Sequence, residues 1–124
     1  MVREVLYLRI IKISIQKQYY KNMEIRDNNK FCIFAPLCTQ IDKYEATRLF
    51  KNIEKESRNI AIDLQYVQDC TIDFINIIKQ ITKDKEIGIF NIPSDIFTLF
   101  NIMGIDKASN LFVNELDFIE NQNA

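Results

Sequence analysis

From Phe31 to Gln122 the spacing of apolar side chains changes period repeatedly, and that alternation limits the fold more than any other feature of the chain. Short runs rich in β-branched and aromatic residues, 31-FCIFAPL-37, 59-NIAIDLQYV-67, 86-EIGIFNIP-93 and 110-NLFVN-114, read as strands. Between them lie segments of helical period. In 41-IDKYEATRLFKNIEKES-57, Ala46, Leu49, Phe50 and Ile53 share one face opposite lysines and glutamates. In 71-TIDFINIIKQITKD-84 the isoleucines 72, 75, 78 and 81, with Phe74 and Ile77, make a wide apolar surface that predicts packing against a sheet. Helices are also expected over 95-DIFTLFNIMG-104, with Ser94 as N-cap and Gly104 as a left-handed C-terminus, and over 115-ELDFIENQ-122. Phe97 and Phe100 follow this helical period and read as core.

Strand and helix in strict alternation predict an α/β domain with a mixed, mostly parallel central sheet of four or five strands and about four helices. The sheet should open with an antiparallel hairpin, because Asp27-Asn28-Asn29-Lys30 separates the strand-like runs Met23–Arg26 and Phe31–Leu37, and asparagine tolerates the positive φ of a tight turn. A chain of 124 residues fits one domain. Residues 23–122 read as that domain. Residues 1–22 read either as an extension outside the conserved unit or as a bulged strand, since the alternation Leu6, Leu8, Ile10 slips phase to Ile11, Ile13, Ile15. Arg9, Lys12 and Lys17 interrupt this segment, so it predicts neither a membrane span nor a secretory signal.

Composition removes several function classes. With 16 basic and 17 acidic residues spread along the chain, there is no electrostatic footprint for nucleic acid. Histidine is absent, which takes away the commonest general base and metal ligand. Cys32, Cys38 and Cys70 show no CxxC spacing and leave an odd count, so no disulfide framework or metal site is expected, and reduced thiols suit the cytoplasm.

In open α/β sheets, ligands and partners meet the carboxyl ends of parallel strands. Three loops qualify here: Leu37–Gln40, Gln68–Thr71 and Asn91–Asp95. None contains the glycine that a phosphate-cradling or dinucleotide loop requires, so no nucleotide cofactor is expected. Asp69-Cys70-Thr71 places three reactive side chains at the start of a helix. Asp69 or Thr71 can act there as a plain N-cap and Cys70 as buried filler. The Thr71 hydroxyl is also a phosphorylation candidate, because phosphate would meet the positive helix end. A nucleophilic Cys70 is opposed by Asp69 and lacks a base. Asp63, at a strand end with no visible partner carboxylate or histidine, reads as a structural hydrogen-bonding residue.

The segment 61-AIDLQYVQDCTIDFINIIKQI-81 resembles the strand–Asp-Ser-Ser-Gly–helix of the STAS family, the fold of bacterial anti-sigma factor antagonists. The stretch 86-EIGIFNIPSDIFTLFNIMGIDKASNLFVNELDFI-119 is similar to the rest of that domain, and the likeness runs from about Met23 to Glu120. It implies signal transduction by protein docking rather than an enzyme: an unphosphorylated antagonist binds a serine-kinase-like anti-sigma factor, and phosphorylation of a serine at the second helix releases it. Aligned without a gap from Asp63, the family motif falls on Thr71, Ile72, Asp73 and Phe74, which puts Ile72 at the phosphorylated serine. Shifted, it falls on Asp69, Cys70, Thr71 and Ile72. Ala35-Pro36-Leu37-Cys38 stands where the family has Gly-x-Leu-Asp.

The resemblance therefore implies a cytoplasmic regulatory module whose partner-binding residues are Leu37, Cys38, Thr39, Asp69, Cys70, Thr71, Ile72 and Asp73, with the usual phosphoserine not retained and Thr71 the remaining hydroxyl. Other readings are a stand-alone STAS subunit docking on the ATPase of a membrane lipid-transport complex, a structural oligomerisation domain, and an enzyme with Cys70 as nucleophile. No cofactor, metal, nucleic acid or membrane insertion is expected.

Overall fold

The computed structural model describes residues 15–122. Among these residues eight strands and five helices follow one another, six of the strands in a mixed sheet and two in a small ribbon. Strands β1 (Gln16–Tyr20), β2 (Met23–Asp27) and β3 (Phe31–Pro36) form an antiparallel meander. The chain then makes β4 (Gln40–Ile41), α1 (Lys43–Glu54), β5 (Asn59–Asp63), β6 (Asp69–Cys70) and α2 (Ile72–Ile81). It closes with β7 (Ile87–Phe90), α3 (Ser94–Met103), α4 (Ile105–Ala108), β8 (Asn110–Leu111) and α5 (Glu115–Gln122). The main sheet runs β1-β2-β3-β5-β7-β8, parallel from β3 onward, while β4 and β6 pair as a separate parallel ribbon.

The expected α/β alternation is present, with a six-stranded sheet and an additional helix. Residues 16–20 belong to the sheet as β1, opposite β2; apart from Ile15, the bulged strand expected over Leu6–Ile15 lies outside the described residues. Strands β3 and β7 are buried along their whole length, as strands covered on both faces must be. One face packs the apolar stripes of α1 to α4, through side chains such as Leu49, Ile53, Phe74, Ile78 and Phe100. The other face carries Phe31, Ile33, Ala61 and Phe90 against Phe118 and Ile119 of α5. Gly88 lies on this second face, where an added Cβ would stand 2.9 Å from the Phe112 ring.

Local chemistry explains the ends of the elements, with some departures from expectation. Asp42 caps α1 by accepting from the Glu45 N–H at 2.9 Å, and Gly104 ends α3 at φ 79°. Ser94 is the first residue of α3 rather than its cap; Pro93 occupies that position, with its carbonyl accepting from Phe97 N. The β2–β3 turn contains no positive φ. Asn28 shapes it through its side chain, whose Oδ1 accepts from Lys30 N and Phe31 N at 2.8 and 3.0 Å. Of the wide apolar face expected for α2, Ile72 is 52% exposed, and Phe97 of α3 is 42% exposed rather than in the core.

Between α1 and β5, Arg58 clasps the turn: its guanidinium donates to both oxygens of Glu56, to Asp27 Oδ2 and to the Asn28 carbonyl. These hydrogen bonds hold the Glu56 carboxyl down at about 2 from its ordinary 4.5. The folded state therefore binds the Glu56 proton less readily than the unfolded state, so this stability is complete above pH 4.5 and is lost as pH falls toward about 2. In acid titrations followed by circular dichroism, Glu56→Gln should be less stable than the parent at neutral pH and should show a shallower loss across that interval.

Candidate functional site

The carboxyl ends of β3, β5 and β7 converge on one edge of the molecule. Two structures are built there. The first is the ribbon of β4 and β6, which joins the loops after β3 and β5. Gln40 pairs with Asp69 and Ile41 with Cys70, the Thr39 carbonyl accepts from Gln68 N and Asp69 N at 2.7 and 3.1 Å, and the Ile41 carbonyl accepts from Thr71 N at 3.0 Å. Segments thirty residues apart in sequence thereby become one surface.

On that surface Thr71 stands at the N-cap position of α2, but its hydroxyl makes no capping bond. It donates instead to the Ile41 carbonyl at 3.2 Å, reinforcing the ribbon. Asp69 Oδ1 accepts from the N–H of Cys70, and Asp73 supplies negative charge in the first turn of α2. Leu37 and Thr39 are exposed, Cys38 and Asp73 half-buried, and Cys70 buried. Ile72 presents its side chain to solvent beside them. The result is a small apolar and acidic surface on a rigid base.

Its thiols are shifted toward the protonated form. Burial, aided by the Asp69 charge, pushes the Cys70 thiol up to about 11. Burial, with Glu45 and Asp42, pushes Cys38 to about 11 as well. Both shifts favour the protonated thiol near neutral pH, which disfavours nucleophilic attack.

The second structure is a buried ion cluster centred on Arg26. Its guanidinium reaches Glu24 Oε1 at 2.6 Å, Asp63 Oδ2 at 2.7 Å and Glu115 Oε1 at 2.6 Å. Asp63, wholly enclosed at 0% exposure, also accepts from Gln65 N, Gln65 Nε2 and Asn91 Nδ2, at 2.9, 2.6 and 3.0 Å. The Asn91 backbone sits at φ 55°, a left-handed conformation that asparagine tolerates and that accompanies this contact. Tyr66 donates its hydroxyl to Glu24 at 3.3 Å, and Lys17 lies 3.6 Å from the same carboxylate.

Asp63 thus has the hydrogen-bonding role its position suggested, yet it is not without charged partners. Arg26 joins it to two further carboxylates. Arg26, Glu24 and Glu115 were not singled out from sequence; the usable signal was charge at alternate positions 24 and 26, interleaved with the apolar Met23 and Ile25. Burial pushes Glu24 upward, but the hydrogen bond and charge of Arg26 outweigh it and leave the carboxyl lowered. At Glu115 burial prevails, helped by Asp63 and Glu24, and its proton is held more tightly than usual.

Among the described residues, no group of acidic and cysteine side chains is arranged to hold a metal ion, and no helix is long and apolar enough to cross a membrane. Comparison with protein-family models and with characterised proteins gives no match for this chain.

Removing the cluster's one buried cation should be severe. Arg26→Met would leave three carboxylates facing one another and should lower stability by about 3–5 kcal/mol in chemical denaturation. Because the orphaned carboxylates would then favour protonation, part of that loss should return as pH is lowered from 7 to 5. The thiols give a second check: in the native protein, alkylation of Cys38 and Cys70 should be slow at neutral pH and should rise with pH toward a midpoint at about 11, whereas the denatured chain should react faster at neutral pH.

Proposed function

We propose that this protein is a small regulatory module that docks on a protein partner through the surface assembled by β4 and β6. The partner that best suits the resemblance to anti-sigma factor antagonists is a kinase-like ATPase of the anti-sigma type. The parallel pairing of Gln40–Ile41 with Asp69–Cys70 supports this reading above all, because it turns the two strand-end loops into a continuous, preorganised patch bearing exposed Leu37 and Ile72. Preorganisation lowers the ordering cost of association, and an apolar anchor beside a charged rim suits a protein interface.

Docking in this scheme needs no phosphate. Ile72 offers no hydroxyl, and the hydroxyl of Thr71 is engaged with the Ile41 carbonyl. A phosphate on Thr71 would replace that donor and bring negative charge between Asp69 and Asp73, so modification would weaken the β4–β6 junction. The unmodified chain is the binding form.

The test is capture from the native lysate with the tagged full chain and with Ile72→Asp, reading both the co-purifying proteins and the state of Thr71 by mass spectrometry. Capture of a kinase-like ATPase by the parent chain, reduced at least about tenfold by Ile72→Asp with an unchanged circular dichroism spectrum, is expected. Capture of a transporter ATPase with the same sensitivity would move the module to the lipid-transport setting. Capture indifferent to Ile72→Asp, or none, would overturn the docking surface.

A further inference from the structure

The edge of the sheet opposite β8 has features of an interface. All five residues of β1 are exposed, and among the described residues no strand pairs with its outer side. It contains neither a proline nor a bulge, two of the devices that commonly blunt a sheet edge, and its one charged residue is Lys17. Tyrosines gather around it. Tyr19 and Tyr20 lie on β1 itself, Tyr66 bonds to Glu24 of the adjoining strand, and Tyr44 precedes Glu45, which accepts from Asn22 in the β1–β2 turn at 3.5 Å. All four rings are more exposed than buried-core aromatics, Tyr19 at 63%, and exposed tyrosine clusters are characteristic of interface cores.

The hairpin geometry says which backbone groups are available. A two-residue turn makes Tyr20–Met23 the hydrogen-bonded closing pair, and bonding then alternates along an antiparallel ladder. The N–H and C=O of Lys17 and Tyr19 therefore turn outward. We infer that two copies of this chain join through these groups, β1 to β1 in antiparallel register about Gln18, making one sheet continuous across a twofold axis. In that register Lys17 faces Tyr19 of the second copy and Tyr19 faces its Lys17, while Gln18 meets Gln18.

The sequence QKQYY is self-complementary in this arrangement. A cation meets an aromatic ring twice, and no like charges are opposed. Within one chain Lys17 already lies 5.8 Å from the centre of the Tyr19 ring, so the same chemistry is extended across the axis. A parallel pairing in register would instead stack Lys17 on Lys17. The charge pattern selects a second copy in the antiparallel sense.

Strand addition by five residues is small for an interface, so a dissociation constant on the order of 10–100 μM is expected. Sedimentation equilibrium of the full chain should show a concentration-dependent rise from 14.7 kDa toward twice that mass. Tyr19→Lys, which opposes lysine to lysine across the axis, should weaken association at least about tenfold. Adding Lys17→Glu should restore it, since unlike charges then face each other both across the axis and within the hairpin, where position 17 pairs with Arg26 and position 19 with Glu24. Gln18→Cys should yield a covalent dimer on air oxidation, because the twofold pairs this position with itself, whereas Gln16→Cys should not. A parent chain that stays monomeric to millimolar concentration, a dimer indifferent to Tyr19→Lys, or equal cross-linking from positions 16 and 18 would overturn the inference.

Discussion

Arg26 carries a constraint on which the rest of the structure depends. It stands in the second strand from the edge, on the face covered by α5, and it contacts carboxylates from β2, from the end of β5 and from the start of α5. Burying an arginine is tolerable only when its donors are met, and here they are met by three acids from separate parts of the chain. The cluster therefore fixes the antiparallel meander against the parallel strands and holds the C-terminal helix across them. Geometry of this kind favours a unique arrangement more than it adds net stability, because the desolvation of four charged groups opposes their attraction.

The two ends of the sheet follow from that arrangement. With Asp63 held by Arg26, Gln65 and Asn91, the chain leaving β5 turns at a fixed place and reaches Asp69–Cys70 beside Gln40–Ile41. The ribbon those residues form would rest the proposed docking surface on backbone hydrogen bonds. At the far edge, β1 is tied to β2 by backbone pairing and by Lys17 to Glu24, and among the described residues no strand pairs with its outer side. The proposed docking at the ribbon and the inferred pairing at β1 would use different groups, so one would not preclude the other.

Much of the architecture was legible because it is written in periodicity. Alternating runs of Ile, Phe and Ala against helical stripes such as Ala46, Leu49 and Ile53 leave few options besides an α/β sheet with helices. The site was legible only in outline. Asp69, Cys70 and Thr71 could be placed at a strand-to-helix junction, but nothing local indicates that Thr71 bonds to Ile41 or that residues 40–41 pair with 69–70. Ile72 fits the apolar stripe of α2 equally well inside or outside; the start of the helix, beyond the edge of the sheet, leaves it without a neighbour to cover it. Phe97 is exposed at the beginning of α3 in the same way.

The sequence by itself determined the order and kind of the major elements, the hairpin at Asn28, the left-handed end of α3 at Gly104, and the absence of histidine and glycine-loop chemistry. Those are local properties, set by side-chain period, turn residues and composition. Tertiary structure alone decided which charges share Arg26, which thiols are held protonated, and which loops join through β4 and β6. Each depends on residues distant in sequence meeting in a low-dielectric interior, where burial and hydrogen bonding, rather than residue type, set charge and reactivity.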